Sequence, residues 1–205
     1  MNDRRAQDAT DTPKKTPGTL IILSGPSGVG KSSISRQLIQ RLGAFFSVSM
    51  TTRPIGAGEK NGRDYWFVSR EEFKKALQNN ELIEYAEVFG HYYGTPRGPV
   101  EEALAAGRAA LLEIDVQGAL QAKKQYPEAI SIFILPPRRQ DLAQRLQERN
   151  RGEDAEAIRK RLEKADEEIA AGLKYYDYQV VNDDLEKAIS EVIDIIQRNN
   201  GEQYD

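Results

Sequence analysis

The sequence predicts an α/β fold: a parallel sheet with helices on both faces, carrying one small insertion. Two observations predict the sheet. Short apolar runs alternate with amphipathic helical patterns along most of the chain, as in sheets whose strands are buried on both faces. The first such run, Thr19-Leu20-Ile21-Ile22-Leu23-Ser24, passes through a glycine-rich turn straight into a helix. The insertion comes from a third observation. Residues 51–95 hold no long parallel-sheet strand, and turn residues crowd the stretch from Thr51 to Gly62.

The helix after the first turn carries Ile34, Leu38, Ile39 and Leu42 at helical spacing. Phe45 to Met50 reads as a second strand. Inside the insertion, Tyr65–Val68 reads as a strand, and Ser69 with Glu72 forms a capping box for a helix Arg70–Gln78. Glu81–Phe89 and His91–Gly94 read as a strand pair about Gly90. The core pattern resumes at Val100, with a helix Glu101–Ala106 stopped at Gly107. A buried strand Ala109–Asp115, a helix Asp115–Gln125 and a strand Ile130–Leu135 stopped by Pro136-Pro137 follow. Helices are expected over Asp141–Asn150 and Glu153–Ala171, the second with Ile158, Leu162, Ala165 and Ile169 on one face. A last strand, Tyr178–Val181, leads to Asp184–Arg198, which carries Leu185, Ile189, Val192 and Ile196 and reads as a strongly amphipathic helix.

A length of 205 residues holds one core plus small insertions. Hydrophobic content of 39% and charged content of 30% are those of an ordinary globular protein. A net charge of −3 gives no general attraction to nucleic acid. Cysteine is absent, which excludes disulfides and thiolate metal sites. No apolar run approaches the ~18 residues of a membrane span. Residues 1–17 are polar, with Asp3, Asp8, Asp11, Pro13 and Pro17. They read as a disordered leader that is neither a signal nor a transit peptide, so a cytoplasmic location is expected.

The chemistry starts at Gly25-Pro26-Ser27-Gly28-Val29-Gly30-Lys31-Ser32, which has P-loop spacing with a strand before it and a helix after it. Its glycines let successive backbone N–H groups turn inward, and with the helix start they form an anion site. Lys31 adds a positive charge for β- and γ-phosphates, and the Ser32 hydroxyl can ligate Mg²⁺. Glu113 and Asp115 lie two apart in an otherwise apolar strand, and alternation puts both on one face. Buried carboxylates need partners. Here the partner is Mg²⁺, its waters or a substrate donor, the alternative being a structural acid paired with Lys or Arg. Arg145 and Arg149 are one helical turn apart and Arg161 follows on the next helix. Arginine forks match the charge of a phosphoryl group in transfer. Ser49, Arg53, Tyr65, Glu84, Tyr93 and Thr95 sit in or beside the insertion. On residue types alone they fit packing as well as a site.

Several blocks in order resemble the guanylate kinase family. They are the P-loop, Ser47–Arg53, Gly58-Glu59 through Ser69, Glu84 with Tyr92-Tyr93-Gly94-Thr95, Leu112–Gly118, Leu135-Pro136-Pro137 and Val181–Asp184. The resemblance runs from about Thr19 to about Ile196. It implies a P-loop NTPase core over residues 18–50, 96–137 and 166–200, a GMP-binding insertion over 51–95 and a helical lid over 138–165, all within 18–200. It implies transfer of the γ-phosphoryl of ATP to GMP, and to dGMP, with Mg²⁺. Arg53, Tyr65 and Tyr93 would hold the GMP phosphate. Ser49, Glu84, Thr95 and Asp115 would surround the guanine, and Glu113 would also belong to the GMP-binding site. Residues Gly25 to Ser33 and Asn182 would hold ATP, with Ser32 and, through water, Glu113 at the metal. Lys31, Arg145, Arg149 and Arg161 would be catalytic.

A carboxylate such as Glu84 can accept from both N1–H and the 2-amino group of guanine, and a hydroxyl such as Thr95 can donate to O6. Adenine would leave the acid unpaired. The chain departs from the family pattern in three places. Gly56 stands where a second arginine is usual, Glu113 where aspartate is usual, and the turn Asn150–Gly152 is one residue longer. Loss of the second arginine predicts weaker GMP binding unless Lys60 or Arg63 substitutes. The rival readings are a kinase for another monophosphate and a non-catalytic scaffold module. Expected partners are ATP and GMP, with neither nucleic acid nor membrane, in a monomer or homodimer.

Overall fold

A computed structural model describes residues 18–88, 90–148 and 155–201. The leader 1–17 and the turn Asn150–Gly152 lie outside the described residues. The described chain runs β1 (Leu20–Ser24), α1 (Lys31–Leu42), β2 (Phe45–Phe46), β3 (Met50–Thr51), β4 (Trp66–Phe67), α2 (Arg70–Gln78), β5 (Leu82–Val88) and β6 (His91–Pro96). It continues through α3 (Arg97–Ala105), β7 (Ala110–Glu113), α4 (Val116–Gln125), β8 (Ile130–Leu135), α5 (Arg139–Glu148), α6 (Ala155–Tyr175), β9 (Tyr178–Val181) and α7 (Leu185–Gly201).

The main sheet has strand order β2-β7-β1-β8-β9, and every pairing is parallel. β1 is central and all five of its residues are buried. Alternation along it feeds two cores. Ile21 and Leu23 pack with Ile34 and Leu38 of α1 and with Ile189, Val192 and Ile196 of α7. Leu20 and Ile22 pack on the other face with Val100, Ala103, Ala119 and Ala122 from α3 and α4. The α/β class follows from this layering, as expected.

A second sheet, in the order β4-β3-β6-β5, stands beside the first. Its long hairpin, β5 with β6, is antiparallel about Gly90. Phe73, Ala76 and Leu82 make its small core. Ile83 of β5 belongs to the main core, so the hairpin is rooted there. Gln121 of α4 donates to the Tyr85 carbonyl at 2.8 Å and accepts from the Tyr85 N–H at 3.2 Å, a side chain standing in for a neighbouring strand.

The helix Arg70–Gln78 begins with both halves of its capping box formed. Two expected strands differ. Phe45–Met50 splits, with Phe45-Phe46 pairing with β7 of the main sheet and Met50-Thr51 pairing with β4 and β6 of the second. The break puts Ser49 where the two sheets meet. The strand at Ala109–Asp115 ends at Glu113, because Asp115 turns to cap α4 and accepts from the Gly118 N–H at 2.8 Å. Asp115 therefore does not continue the alternation of Leu111 and Glu113.

Gly172 lets α6 lie on the sheet. A Cβ there would fall 2.4 Å from the ring of Phe133, which is fully buried. Gly172→Ala should therefore destabilise the protein by ~1–3 kcal/mol, although alanine alone favours a helix by ~1 kcal/mol. Thermal unfolding should show a lower Tm, and an unchanged or higher Tm would contradict this packing.

Candidate active site

β1 ends at Ser24, and the chain turns through Gly25–Gly30 into α1. Gly28 and Gly30 have φ of 86° and 109°, a left-handed backbone that side chains resist. Gly30 caps α1 without a side-chain bond. The Ser33 N–H donates back to the Gly30 carbonyl at 3.1 Å, and a helix start of this kind suits an anion. The buried Asn182, just past β9, donates from Nδ2 to the Val29 carbonyl at 2.7 Å. Its own N–H donates to the Leu135 carbonyl at 2.9 Å. The ends of β1, β8 and β9 are thereby tied together. A Cβ on Gly30 would meet Asn182 Nδ2 at 2.4 Å, so this clamp requires glycine there. Lys31 Nζ folds back over the turn and donates to the Gly25 and Pro26 carbonyls, the latter at 3.1 Å.

Glu113, at the carboxy end of β7, faces the same turn. Its two oxygens each accept a hydroxyl at 2.8 Å, one from Ser32 and one from Ser35. Ser35 was not read from the sequence. Its spacing of three from Ser32 on one helix is the signal that would have found it.

Glu84 of β5 is buried at 5% exposure. Thr95 of β6, fully buried, donates its hydroxyl to Glu84 at 2.6 Å. Gly118 closes the other side, since a Cβ there would fall 2.3 Å from Glu84 Oε2. Burial pushes the Glu84 carboxyl up to about 7, helped by the charge of Asp115 and opposed by the Thr95 hydrogen bond. The Thr95 proton is thus committed to Glu84.

Arg53 lies in the loop after β3. It pairs through two bonds with Glu59, at 2.8 and 2.9 Å, and its guanidinium is 5.5 Å from the ring centres of Tyr65 and Phe67. Tyr65 and Tyr93 meet edge to face at 5.8 Å. Burial, then the neighbouring Tyr93, pushes the Tyr65 hydroxyl up. Arg63 instead pairs with Asp64 and the Gly58 carbonyl at the surface.

These elements enclose a cleft of about 530 Å³ between the two sheets. Gly25, Ser27, Lys31, Ser49, Tyr65, Glu84, Tyr93, Glu113, Asp115 and Arg161 all line it. Gly28, Gly30, Lys31, Ser32, Ser33 and Glu113 line a smaller adjoining hollow of about 210 Å³. Thr95 stands behind the cleft wall against Glu84, and Arg53, partly exposed, lies beside Tyr65. Arg145 approaches the phosphate turn from α5. Its guanidinium lies 3.4 Å from the Val29 carbonyl and 3.5 Å from that of Asn182. Arg149 lies outside the described residues. Glu168 of α6 also lines the cleft and went unread, although it is two helical turns beyond Arg161. Burial pushes its carboxyl up against the pull of Lys164 and Lys31.

A phosphate turn and a buried acid on opposite walls of one cleft suit a phosphorylated substrate with hydrogens to donate. The family model for guanylate kinase matches residues 17–199. The chain belongs to the guanylate kinase family. A guanylate kinase of Symbiobacterium thermophilum is 48% identical over 185 residues, covering 90% of this chain and 87% of that protein. One from Thermosynechococcus vestitus is 52% identical over 175 residues, covering 84% and 90%. The crystal structure of guanylate kinase from Anaplasma phagocytophilum superposes with a TM-score of 0.74 at 38% identity, covering 93% of this chain and 89% of that one. This member of the guanylate kinase family is accordingly an enzyme, a phosphotransferase.

The Glu84 carboxyl has a measurable consequence for stability. Its folded pKa of about 7 exceeds the ordinary 4.5, so the folded chain holds this proton more tightly. The resulting stability is present below pH 4.5 and is lost as pH rises through 7. Above that, the buried charge costs about 3 kcal/mol. Glu84→Gln should unfold at higher denaturant than the natural chain at pH 8, with the gap closing near pH 5. Equal stability of the two at pH 8 would contradict this burial.

Proposed function

We propose that the protein transfers the γ-phosphoryl of ATP to GMP, and to dGMP, giving ADP and GDP or dGDP. The observation that carries the reading is the Glu84 carboxylate, recessed in a cleft that also presents Lys31. Guanine offers N1–H and a 2-amino group side by side, matching one carboxylate. Adenine offers an acceptor at N1 and would leave Glu84 unpaired. Thr95 acts by orienting Glu84, and Ser49 supplies a hydroxyl in the cleft wall for O6. Asp115 adds a second acceptor, and donors arriving between the two acids relieve their repulsion.

The phosphate of GMP would lie against Arg53, Tyr65 and Tyr93. The triphosphate of ATP would lie on the N–H groups of Gly25–Ser33, with the adenine toward Asn182. Ser32 donates its proton to Glu113, so its oxygen lone pairs stay available to a cation, and the site fits Mg²⁺ on that ground. Ser32 would hold the ion directly and Glu113 through water. Bound there, Mg²⁺ neutralises charge on the β- and γ-phosphates.

Transfer needs alignment and charge neutralisation more than covalent help. The attacking phosphate oxygen of GMP is already ionised, so no general base is needed. Lys31, Arg145, Arg149 and Arg161 offset the charge spread over the moving group. Approach of the arginine-bearing helices and the second sheet would exclude water, which otherwise hydrolyses ATP. The roles of the phosphate turn favour this catalytic reading over a scaffold module.

A coupled assay of ADP release with GMP, dGMP, AMP, UMP and CMP tests the proposal. ADP should form with GMP and dGMP, with AMP poorer by roughly 10⁴-fold. Lys31→Ala should be inactive while keeping its circular dichroism spectrum. Turnover with AMP as fast as with GMP, or near-normal turnover by Lys31→Ala, would overturn it.

A further inference from the structure

The Arg53 guanidinium is held before any substrate arrives. Nη1–H donates to Glu59 Oε2 at 2.9 Å and also to the Pro54 carbonyl at 2.9 Å. Nη2–H donates to Glu59 Oε1 at 2.8 Å. The same carboxylate accepts the Gly56 N–H at 2.6 Å, and the Glu59 N–H closes the turn on the Gly56 carbonyl at 3.2 Å. Glu59 thus takes the end-on edge of the fork. Of the five guanidinium N–H groups, Nε–H and the second Nη2–H form the side-on edge. The Tyr93 hydroxyl is a hydrogen-bond neighbour of the same guanidinium and, after Glu59, favours its charged form. Tyr65 and Phe67 flank it. Two parallel donors on one edge suit two phosphate oxygens.

Gly56 makes the arrangement fit. A Cβ at this position would fall 2.8 Å from Glu59 Oε2 and 3.4 Å from Cδ. Any side chain there pushes on the carboxylate that fixes Arg53.

We infer that Glu59 is a positioning residue for the phosphate of the accepted nucleoside monophosphate, acting through Arg53, and that Gly56 is the space that lets it act. This rests on the reading of Arg53 as a phosphate ligand. It also answers the missing second arginine. The chain relies on one arginine that is already ordered, so little side-chain freedom is lost on binding. An arginine restored at 56 would dislodge Glu59 rather than add a contact.

The test compares GMP, as substrate, with guanosine, as a competitive inhibitor lacking the phosphate, on the full-length protein. Glu59→Gln should raise the KM for GMP about 10-fold, with the Ki of guanosine and the KM of ATP each within about 2-fold of the natural chain. Gly56→Arg should shift GMP in the same direction, not the opposite one. The inference is overturned if Glu59→Gln leaves the KM for GMP unchanged, if guanosine weakens as much as GMP, or if Gly56→Arg tightens GMP. Absence of GMP phosphorylation by the natural chain would instead remove the proposed function itself, so the two failures are distinct.

Discussion

A carboxylate shut away from water is unfavourable unless the surroundings are built for it. Glu84 sits in such a place, and much of the architecture serves to keep it there. β6 brings Thr95 against one oxygen, and α4 approaches so closely that only glycine fits at position 118. The hairpin that carries Glu84 is rooted in the main core through Ile83 and held to α4 through Gln121. The last of these contacts join the hairpin to α4 and the main core, so the acid marks where the second sheet is anchored. Burial penalises its charged form, and a ligand with adjacent N–H donors offsets that cost.

The phosphate end is organised by backbone instead. β1 is buried on both faces and must deliver its carboxy end into the cleft. Glycines with left-handed φ reverse the chain there, and Asn182 fixes the reversal from the far side of β8. One end therefore offers the phosphate turn with Lys31, and the other offers the buried Glu84 carboxyl. That asymmetry suits a reaction joining two phosphate-bearing molecules, because each end accepts a different part.

Much of this was legible in the sequence. The phosphate turn, the capping box at Ser69 and the strands Ile130–Leu135 and Tyr178–Val181 are local patterns, and local patterns survive folding. Glu84, Tyr93, Asp115 and Arg161 converge on the phosphate turn although they are far apart in sequence, and the family resemblance is what linked them. What was not legible depends on spatial neighbours. The split of Phe45–Met50 arises because two sheets compete for one short segment. Glu59 looks like a surface acid until its loop folds onto Arg53. Gly118 and Gly172 look like weak helix positions until a carboxylate and a ring are seen against them. Asp115 read as a strand residue, because alternation cannot show where a strand stops and a cap begins.

The most direct test of the central claim counts protons. GMP is titrated at pH 7 into the natural chain and into Glu84→Gln by calorimetry, in buffers of different ionisation enthalpy. With the Glu84 carboxyl at about 7, binding that demands its ionised form should release about half a proton more from the natural chain than from the variant. Equal proton release from the two proteins would mean that GMP does not draw on this carboxylate, and would contradict the account.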